Sequence, residues 1–335
     1  MAVLSILKDP ASPAGIALRS FTTQWFLLPQ GSGIIAVILH QLDYQFDGLI
    51  IISEIFWVYT VFLLALFLLI YFLRIIIFPK EVAHALRTNI NETACLASIS
   101  ITFTSIIQMT ALNLVHEWGL GWGTANYVLW WVNAAMAIIC NIVIPYVFVQ
   151  HQPPGIDGLS PATNLPLIAA LTAAAGGGVI CRYGGLTDRE QVPVIILSYI
   201  LIGMAFPLAL AFSTVFLARL FNGNSPLGVK IYQDMILCGP WGQGSFAMQI
   251  LGTCVMRGSF AGYSKGIFLT NDAAKSVGYA SIFAGLIAWG QGTFWWAFSI
   301  VRILHSGFDI RGHWEGLKFG MAAWSLVFPW VSAFS

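Results

Sequence analysis

Short apolar segments that glycine or proline interrupts alternate along this chain with long uninterrupted ones. The interrupted segments include residues 25–40, 165–183, 235–256 and 316–335, and the long ones are residues 49–78, 122–149, 192–221 and 276–304. Backbone groups freed at an interruption find no partner in hydrocarbon, so such a helix persists in a membrane only when protein shields it or it lines a cavity. The alternation predicts an inner ring of interrupted helices within an outer ring of continuous ones, as in a pore.

The composition places the chain in a membrane. Of its 335 residues, 58% are hydrophobic and 9% charged, with a mean hydropathy of +0.80. A hydrocarbon core takes about 20 residues of helix, and nine stretches of that kind are visible. We therefore predict an all-α polytopic membrane protein with one transmembrane transport domain, residues 1–335, of which residues 1–22 form a cytoplasmic N-terminal segment.

The odd-numbered spans begin near residues 23, 92, 165, 235 and 316, roughly 70 residues apart. Each unit is predicted to be a helical hairpin, with an inner odd helix followed by an outer even helix. Repeats of this kind bury their faces only against their neighbours. Five hairpins around a central pore are expected, with the tenth helix absent from this chain.

The basic residues predict the topology. Ten of the 15 fall on the side of the N-terminus and five on the opposite side. Because loops rich in Lys and Arg stay in the cytoplasm, the N-terminus is expected there.

Two glycine-containing segments are the first candidates for a pore lining. The first span holds Pro-Gln-Gly-Ser-Gly at 29–33, and the seventh holds Gly-Pro-Trp-Gly-Gln-Gly-Ser at 239–245. Unwound backbone there would expose N–H groups, which suit an anion without a full cation. The alternative is that the glycines only allow close helix packing. The pore-lining candidates are Gly31, Ser32, Gly33, Gly242, Gln243, Gly244 and Ser245.

Two further spans carry polar candidates. In the third span, hydroxyls such as those of Ser98 and Thr102 give an uncharged polar face that either hydrates an ion pathway or bonds back to its own helix. The fifth span has three consecutive glycines, which favour close packing, and Arg182 near its outer end. Arg182 is either a vestibule charge that attracts anions or a side chain that extends to the membrane interface.

The sequence gives no support for catalysis. The six histidines fall at span ends or in loops, and no hydrolase, metalloprotease or phosphate-loop motif is present. The five cysteines lack metal-ligand spacing and are expected to be packing residues. We predict no enzyme activity, no metal, no cofactor and no nucleic-acid partner.

Three stretches of the chain, residues 21–44, 239–246 and 319–329, resemble those of the fungal sulfite efflux pumps. These pumps belong to the tellurite-resistance/dicarboxylate transporter family, with fungal malate permeases and plant slow anion channels. The resemblance implies a ten-helix protomer of five hairpins around a pore, assembled as a homotrimer in membrane lipid. It also implies that a phenylalanine of the ninth span, Phe328, occludes the pore. One departure is Gln30, where the pumps usually have methionine.

The resemblance therefore implies export of sulfite or bisulfite across the plasma membrane. The nearest alternative is a malate permease of the same fold, although a dicarboxylate pore would be expected to present several fixed cations. The other alternative is an accessory membrane subunit without transport, which only the missing tenth helix favours.

Overall fold

The protein is described here by a computed structural model, which covers residues 12–151, 155, 159–223, 228–261, 263, 265–308, 316 and 320–332. Half of the predicted segment 1–22 thus lies outside the described residues. The described chain is all-helical, as expected. In chain order the α-helices are α1 (Pro13–Ser20), α2 (Leu27–Gln41), α3 (Leu49–Ile77), α4 (Pro79–Thr88), α5 (Ile90–Ala94), α6 (Ala97–Trp118), α7 (Leu120–His151), α8 (Leu165–Tyr183), α9 (Asp188–Phe221), α10 (Gly239–Cys254), α11 (Asn271–Ser306) and α12 (Val327–Ser332).

Five helical segments of the described chain are long and apolar enough to cross a membrane, and their burial alternates. Leu49–Ile77, Gly121–His151 and Asp188–Phe221 have 33%, 28% and 39% of their most apolar stretch buried. Ile90–Val115 and Pro161–Tyr183 have 72% and 100% buried. Apolar side chains exposed on the first group suit lipid, whereas the second group needs protein around it. We call α2, α6, α8, α10 and α12 the inner helices and α3, α7, α9 and α11 the outer helices.

The inner helices contact one another in a closed cycle. α2 packs on α6, α6 on α8, α8 on α10 and α10 on α12, and α12 returns to α2. Each outer helix packs along the inner helix that precedes it in the chain. The nine-span count and the central pore remain predictions from the sequence.

A tight turn or 3₁₀ segment precedes each inner helix. Four of these are 3₁₀ segments, and at α6 the short helix α5 and a turn take the same place. The 3₁₀ segments are Thr23–Phe26, Pro161–Asn164, Gly228–Cys238 and Met321–Leu326. The inner helices thus begin at residues 27, 97, 165, 239 and 327. The interruption in these spans lies at their start.

This position corrects the expectation of unwound backbone at residues 29–33. α2 runs without a break from Leu27 to Gln41, because Pro29 lies in its first turn, where a missing N–H breaks no helical bond. The first N–H group of α2 and that of α8 are also paired. The N–H of Leu27 donates to Gln24 O, and that of Leu165 donates to Ala162 O, both in 3₁₀ turns.

Candidate functional site

Phe328 lies where the inner helices meet. Its side chain is 1% exposed and belongs to a buried group that we call the Phe328 cluster. The cluster draws residues from α2, from α5 and the start of α6, from α8 and from the 3₁₀ segment before α10, with Ile144 from α7. Its members are Leu27, Ile34, Ala94, Cys95, Ala97, Ile101, Ile144, Ala162, Leu165, Ile168, Ala169, Ile236 and Phe328. Phe328 thus shares a buried cluster with residues from the N-terminal halves of α2, α6 and α8 and from the segment before α10.

The first glycine segment divides between two faces of α2. A Cβ on Gly31 would lie 3.1 Å from Cγ1 of Val327, so this glycine faces α12. A Cβ on Gly33 would lie 2.9 Å from Cβ of Ser105 on α6 and 3.2 Å from Cγ2 of Thr60 on α3. Between them, Ser32 Oγ is 2.8 Å from Thr60 Oγ1. Ser32 and Gly33 therefore contact the neighbouring helices α3 and α6.

The second segment, at the start of α10, divides in the same way. A Cβ on Gly244 would lie 2.0 Å from the ring of Phe206 on α9, and Ser245 Oγ donates to Gly285 O on α11 at 2.8 Å. Both residues face the outer helices. Gln243 is 1% exposed, and its Nε2 is a buried donor without a partner among the described residues. Gly242 is buried, and its N lies 3.5 Å from where a Cβ of Gly292 on α11 would be.

The three glycines of α8 each meet a different neighbour. A Cβ would lie 2.5 Å from Thr104 Cγ2 at Gly176, 2.3 Å from Ser198 Oγ at Gly177 and 2.3 Å from Ile250 Cγ2 at Gly178. These atoms belong to α6, α9 and α10. The side-chain-free segment lets three helices approach α8 at once, which is the close packing that its sequence favours.

The hydroxyls of α6 mostly bond to their own helix. Thr102 Oγ1 donates to Ser98 O at 2.7 Å, and Thr104 Oγ1 donates to Ser100 O at 3.0 Å. Asn133 of α7 joins Ser100 and Thr104 through two further bonds. Ser98 differs, because its fully buried Oγ has no partner within the described chain.

Hydrogen bonds join the segments that precede the first two inner helices. Glu92 of α5 accepts from Thr23 N at 3.2 Å, and the backbone O of Glu92 accepts from Thr23 Oγ1 at 2.6 Å. Its carboxylate also pairs with Arg74 at the end of α3, at 2.6 Å, with both side chains buried. A buried pair of this quality is strongly destabilising to break, by about 3–5 kcal/mol.

Further polar contacts link the second repeat to the third and fourth repeats. Ser160 Oγ lies 3.3 Å from Asn91 Oδ1 and 2.9 Å from Gln233 Oε1. Beside Gln233, Asp234 pairs with Arg302 at the end of α11. The starts of four successive inner segments are therefore tied together, and the two pairs fix two outer helices to them.

Arg182 lies apart from the Phe328 cluster, whereas two of the five cysteines do not. Arg182 is exposed at the end of α8, its guanidinium 5.2 Å from the ring centroid of Tyr183. Cys95 belongs to the cluster and Cys140 packs against it, while Cys181, Cys238 and Cys254 belong to another buried group, and all five are free thiols. No group of His, Cys, Asp and Glu suited to a metal occurs in the part of the chain that the structure describes.

Sequence reasoning missed three polar residues near the starts of inner helices. Gln30, Asn164 and Ser325 are each at most 2% exposed, and each has a side-chain oxygen without a partner among the described residues. Asn164 lies in a Pro-Ala-Thr-Asn string that is typical of a turn, and Ser325 is surrounded by apolar residues. The sequence signal that could have identified them is that each lies near the start of an odd-numbered span.

The described chain is an all-helical membrane fold whose buried inner helices carry uncharged polar groups. The family described as voltage-dependent anion channel, SLAC1, matches residues 20–334. The chain therefore belongs to this family, and its membership is consistent with a transport role and not an enzymatic one.

Several of the similar proteins are fungal transporters. The chain is 27% identical to the sulfite efflux pump SSU1 of Arthroderma benhamiae over 314 residues, 94% of this chain and 80% of that protein. It is 26% identical to the pump of the same name in Trichophyton rubrum, with the same coverage. A protein named for malic acid transport in Schizosaccharomyces pombe is 20% identical over 96% of this chain and 72% of that protein. The predicted kinship with sulfite efflux pumps is confirmed.

Proposed function

We propose that this protein exports sulfite or bisulfite through a pore enclosed by the inner helices. The observation that carries the proposal is the position of Phe328 within a closed cycle of five helices, in a family of anion channels. The names of the fungal relatives supply the substrate.

The polar side chains along the proposed pathway are uncharged, and this favours sulfite over a dicarboxylate as the substrate. The described inner helices contain one Lys or Arg, Arg182, and it lies exposed at the end of α8. Malate carries two separated carboxylates and is expected to need fixed cations along its path. A small anion can instead be carried past amide and hydroxyl groups, so we favour sulfite over malate.

Phe328 is the proposed gate. Phe328 is the second residue of α12, Pro329 follows it in the first turn of that helix, and the ring belongs to the buried Phe328 cluster. Gly31 and Gln243 are the predicted lining residues with the best support, because Gly31 faces Val327 of α12 and the buried Nε2 of Gln243 has no partner among the described residues. Arg182 is proposed as a vestibule charge, and the assembly as a homotrimer in the plasma membrane with a cytoplasmic N-terminus.

Purified protein in liposomes tests the proposal. Flux of sulfite, malate, chloride and nitrate is measured at equal concentration and membrane potential, and the flux of protein-free vesicles is subtracted. Sulfite flux is expected to exceed malate flux by at least about tenfold, the ratio given by about 1.4 kcal/mol of difference in barrier. Malate flux faster than sulfite flux would reverse the assignment.

A further inference from the structure

Five buried polar side chains recur near the starts of the inner helices. They are Gln30, Ser98, Asn164, Gln243 and Ser325, which we call the polar collar. Each lies within four residues of the point where its inner helix begins, and each is 2% exposed or less. Each has a side-chain atom with no partner among the described residues: Gln30 Oε1, Ser98 Oγ, Asn164 Oδ1, Gln243 Nε2 and Ser325 Oγ.

An unpaired polar atom in a buried site costs free energy comparable with a lost hydrogen bond, so a recurrent set of them requires an explanation. Other unpaired atoms lie on the outer helices, among them those of Ser198 and Ser213 on α9, and on the inner helices, among them those of His40, Gln108 and Trp241. The collar is set apart by repetition, because one member lies at the start of each inner helix: three on the helices α2, α6 and α10, and Asn164 and Ser325 in the 3₁₀ segments that lead into α8 and α12.

On α2, α6 and α8 the collar faces the Phe328 cluster. Residues three or four apart share a helix face. Gln30 thus shares a face with Leu27 and Ile34, Ser98 with Ile101, and Asn164 with Ile168. All four partners belong to the cluster.

The same relation holds on α10 and α12. Gln243 shares a face with Gly239, where a Cβ would lie 2.7 Å from Ile168 Cδ1 and 3.9 Å from Pro329 Cβ. Ser325 precedes Phe328 by three residues. The collar residues at the starts of α2, α6 and α8 thus share helix faces with members of the Phe328 cluster, Gln243 shares one with a glycine that packs on Ile168 of that cluster, and Ser325 lies one turn before Phe328 itself.

The chemistry of the collar limits its ligand. The unpaired Nε2 of Gln243 and the hydroxyls of Ser98 and Ser325 can donate to anion oxygens, whereas the unpaired oxygens of Gln30 and Asn164 can only accept a hydrogen bond from a group that carries a hydrogen. The collar contains no cation, and the cost of removing an ion from water rises with the square of its charge. A singly charged oxyanion that keeps one proton matches these groups, whereas a dianion leaves its second charge uncompensated and the collar's acceptors unused.

We infer that the polar collar is the anion-binding site of the pathway, and that it selects the monoprotonated form of the oxyanion, hydrogensulfite, over the dianion. This inference rests on the proposed export of sulfite.

The test replaces an amide by its acidic isostere. Gln243→Glu places a like charge beside the pathway and is expected to lower sulfite flux per folded protein by at least about tenfold at alkaline pH. Gln30→Glu and Asn164→Asp are expected to act in the same direction. Gln249→Glu is the matched control, because Gln249 lies on the same helix α10 but packs against Gly285 of the outer helix α11. It is expected to stay within about twofold of the wild type.

Acidification separates a blocked pathway from a damaged fold. Protonation of the introduced carboxyl removes its charge, so the flux of Gln243→Glu relative to wild type should recover as the pH falls. A misfolded variant would show no recovery. Wild-type flux, measured on both sides of the second dissociation of sulfurous acid, is expected to follow the concentration of the monoanion.

The outcomes are distinguishable. A wild type that carries no sulfite overturns the proposed function itself. A wild type that carries sulfite while Gln243→Glu matches it at every pH, or whose flux follows the dianion, overturns the polar collar and leaves sulfite export standing.

Discussion

The two glycine-containing segments, at the start of α2 and at the start of α10, look alike in sequence but use their glycines on different faces. Gly31 faces α12 and the Phe328 cluster, whereas Gly33 and Gly244 accommodate side chains of the wall, Ser105 and Phe206. A glycine in such a segment can thus face either the proposed pathway or a neighbouring helix. The direction of its missing side chain decides which, and variants at these positions measure the difference.

The largest effect is expected at a glycine that faces the wall. In Gly244→Leu, even the first carbon would lie 2.0 Å from the ring of Phe206, which itself packs on Trp241 with centroids 4.8 Å apart. Overpacking of this kind costs at least about 1–3 kcal/mol. The yield of folded protein, measured by size-exclusion chromatography in detergent, should fall severely. Gly290→Leu is the control, because a Cβ there meets no atom within 4 Å; equal yields for both would show that α9 is not packed on Gly244.

The second-largest effect is expected at Phe328. Phe328→Ala should raise basal anion conductance several-fold and reduce discrimination among anions, because a bulky apolar plug becomes a space that water can enter. Conductance per folded protein in planar bilayers is the measurement. Phe216→Ala is the control, since Phe216 is equally buried but lies on the outer helix α9. Both changes leave a cavity costing about 3–5 kcal/mol, so poorer folding in both without a gain for Phe328→Ala would assign that ring to packing.

A smaller effect is expected at the inward glycine. Gly31→Ala brings a methyl group 3.1 Å from Val327 Cγ1, so α12 must move by a few tenths of an ångström. Because Val327 precedes Phe328, flux should change by about two- to fivefold with little loss of folded protein. Liposome flux measures it, with Gly203→Ala as the control, since a Cβ at Gly203 meets nothing within 4 Å. Identical flux in both variants would show that Gly31 does not influence the proposed gate.

The smallest effect is expected far from both segments. Arg182→Gln should reduce flux by about twofold at low ionic strength and by less at physiological salt, because an exposed charge attracts anions only over a Debye length of about 8–10 Å. Flux at two salt concentrations measures it. Lys275→Gln removes another basic residue from the side predicted to be outside and serves as the control. A loss of flux that does not depend on salt would show that Arg182 is not a vestibule charge.

Hydropathy and interruption in the sequence were sufficient to predict which long helices are buried, because lipid exposure imposes a strong and simple constraint on composition. They did not predict where the inner helices change from 3₁₀ to α. Glycine is compatible with an unwound backbone and with close packing alike, so residues 29–33 suggested a break that occurs before Leu27 instead. The distinction depends on neighbours such as Thr60 and Ser105, which are distant in sequence.

The candidate site was predictable only in part for the same reason. Phe328 came from resemblance, and Ser98 and Gln243 came from polar patterns within apolar spans. Asn164 and Ser325 carry no local signal, since one resembles a turn residue and the other an isolated serine. Only the repeated start of the inner helices relates them to Gln30.

The contact of α12 with α2 also bears on how the molecule is assembled. During synthesis, each hairpin can dock on the one made before it, but the circle has a seam that stays open until α12 appears. Joining ends so far apart in the chain adds only a modest entropic cost, which grows with the logarithm of the separation. The contact that closes the seam, between α12 and α2, is therefore one that no earlier hairpin can supply. The cycle of inner helices becomes complete only after nearly the whole chain has been made.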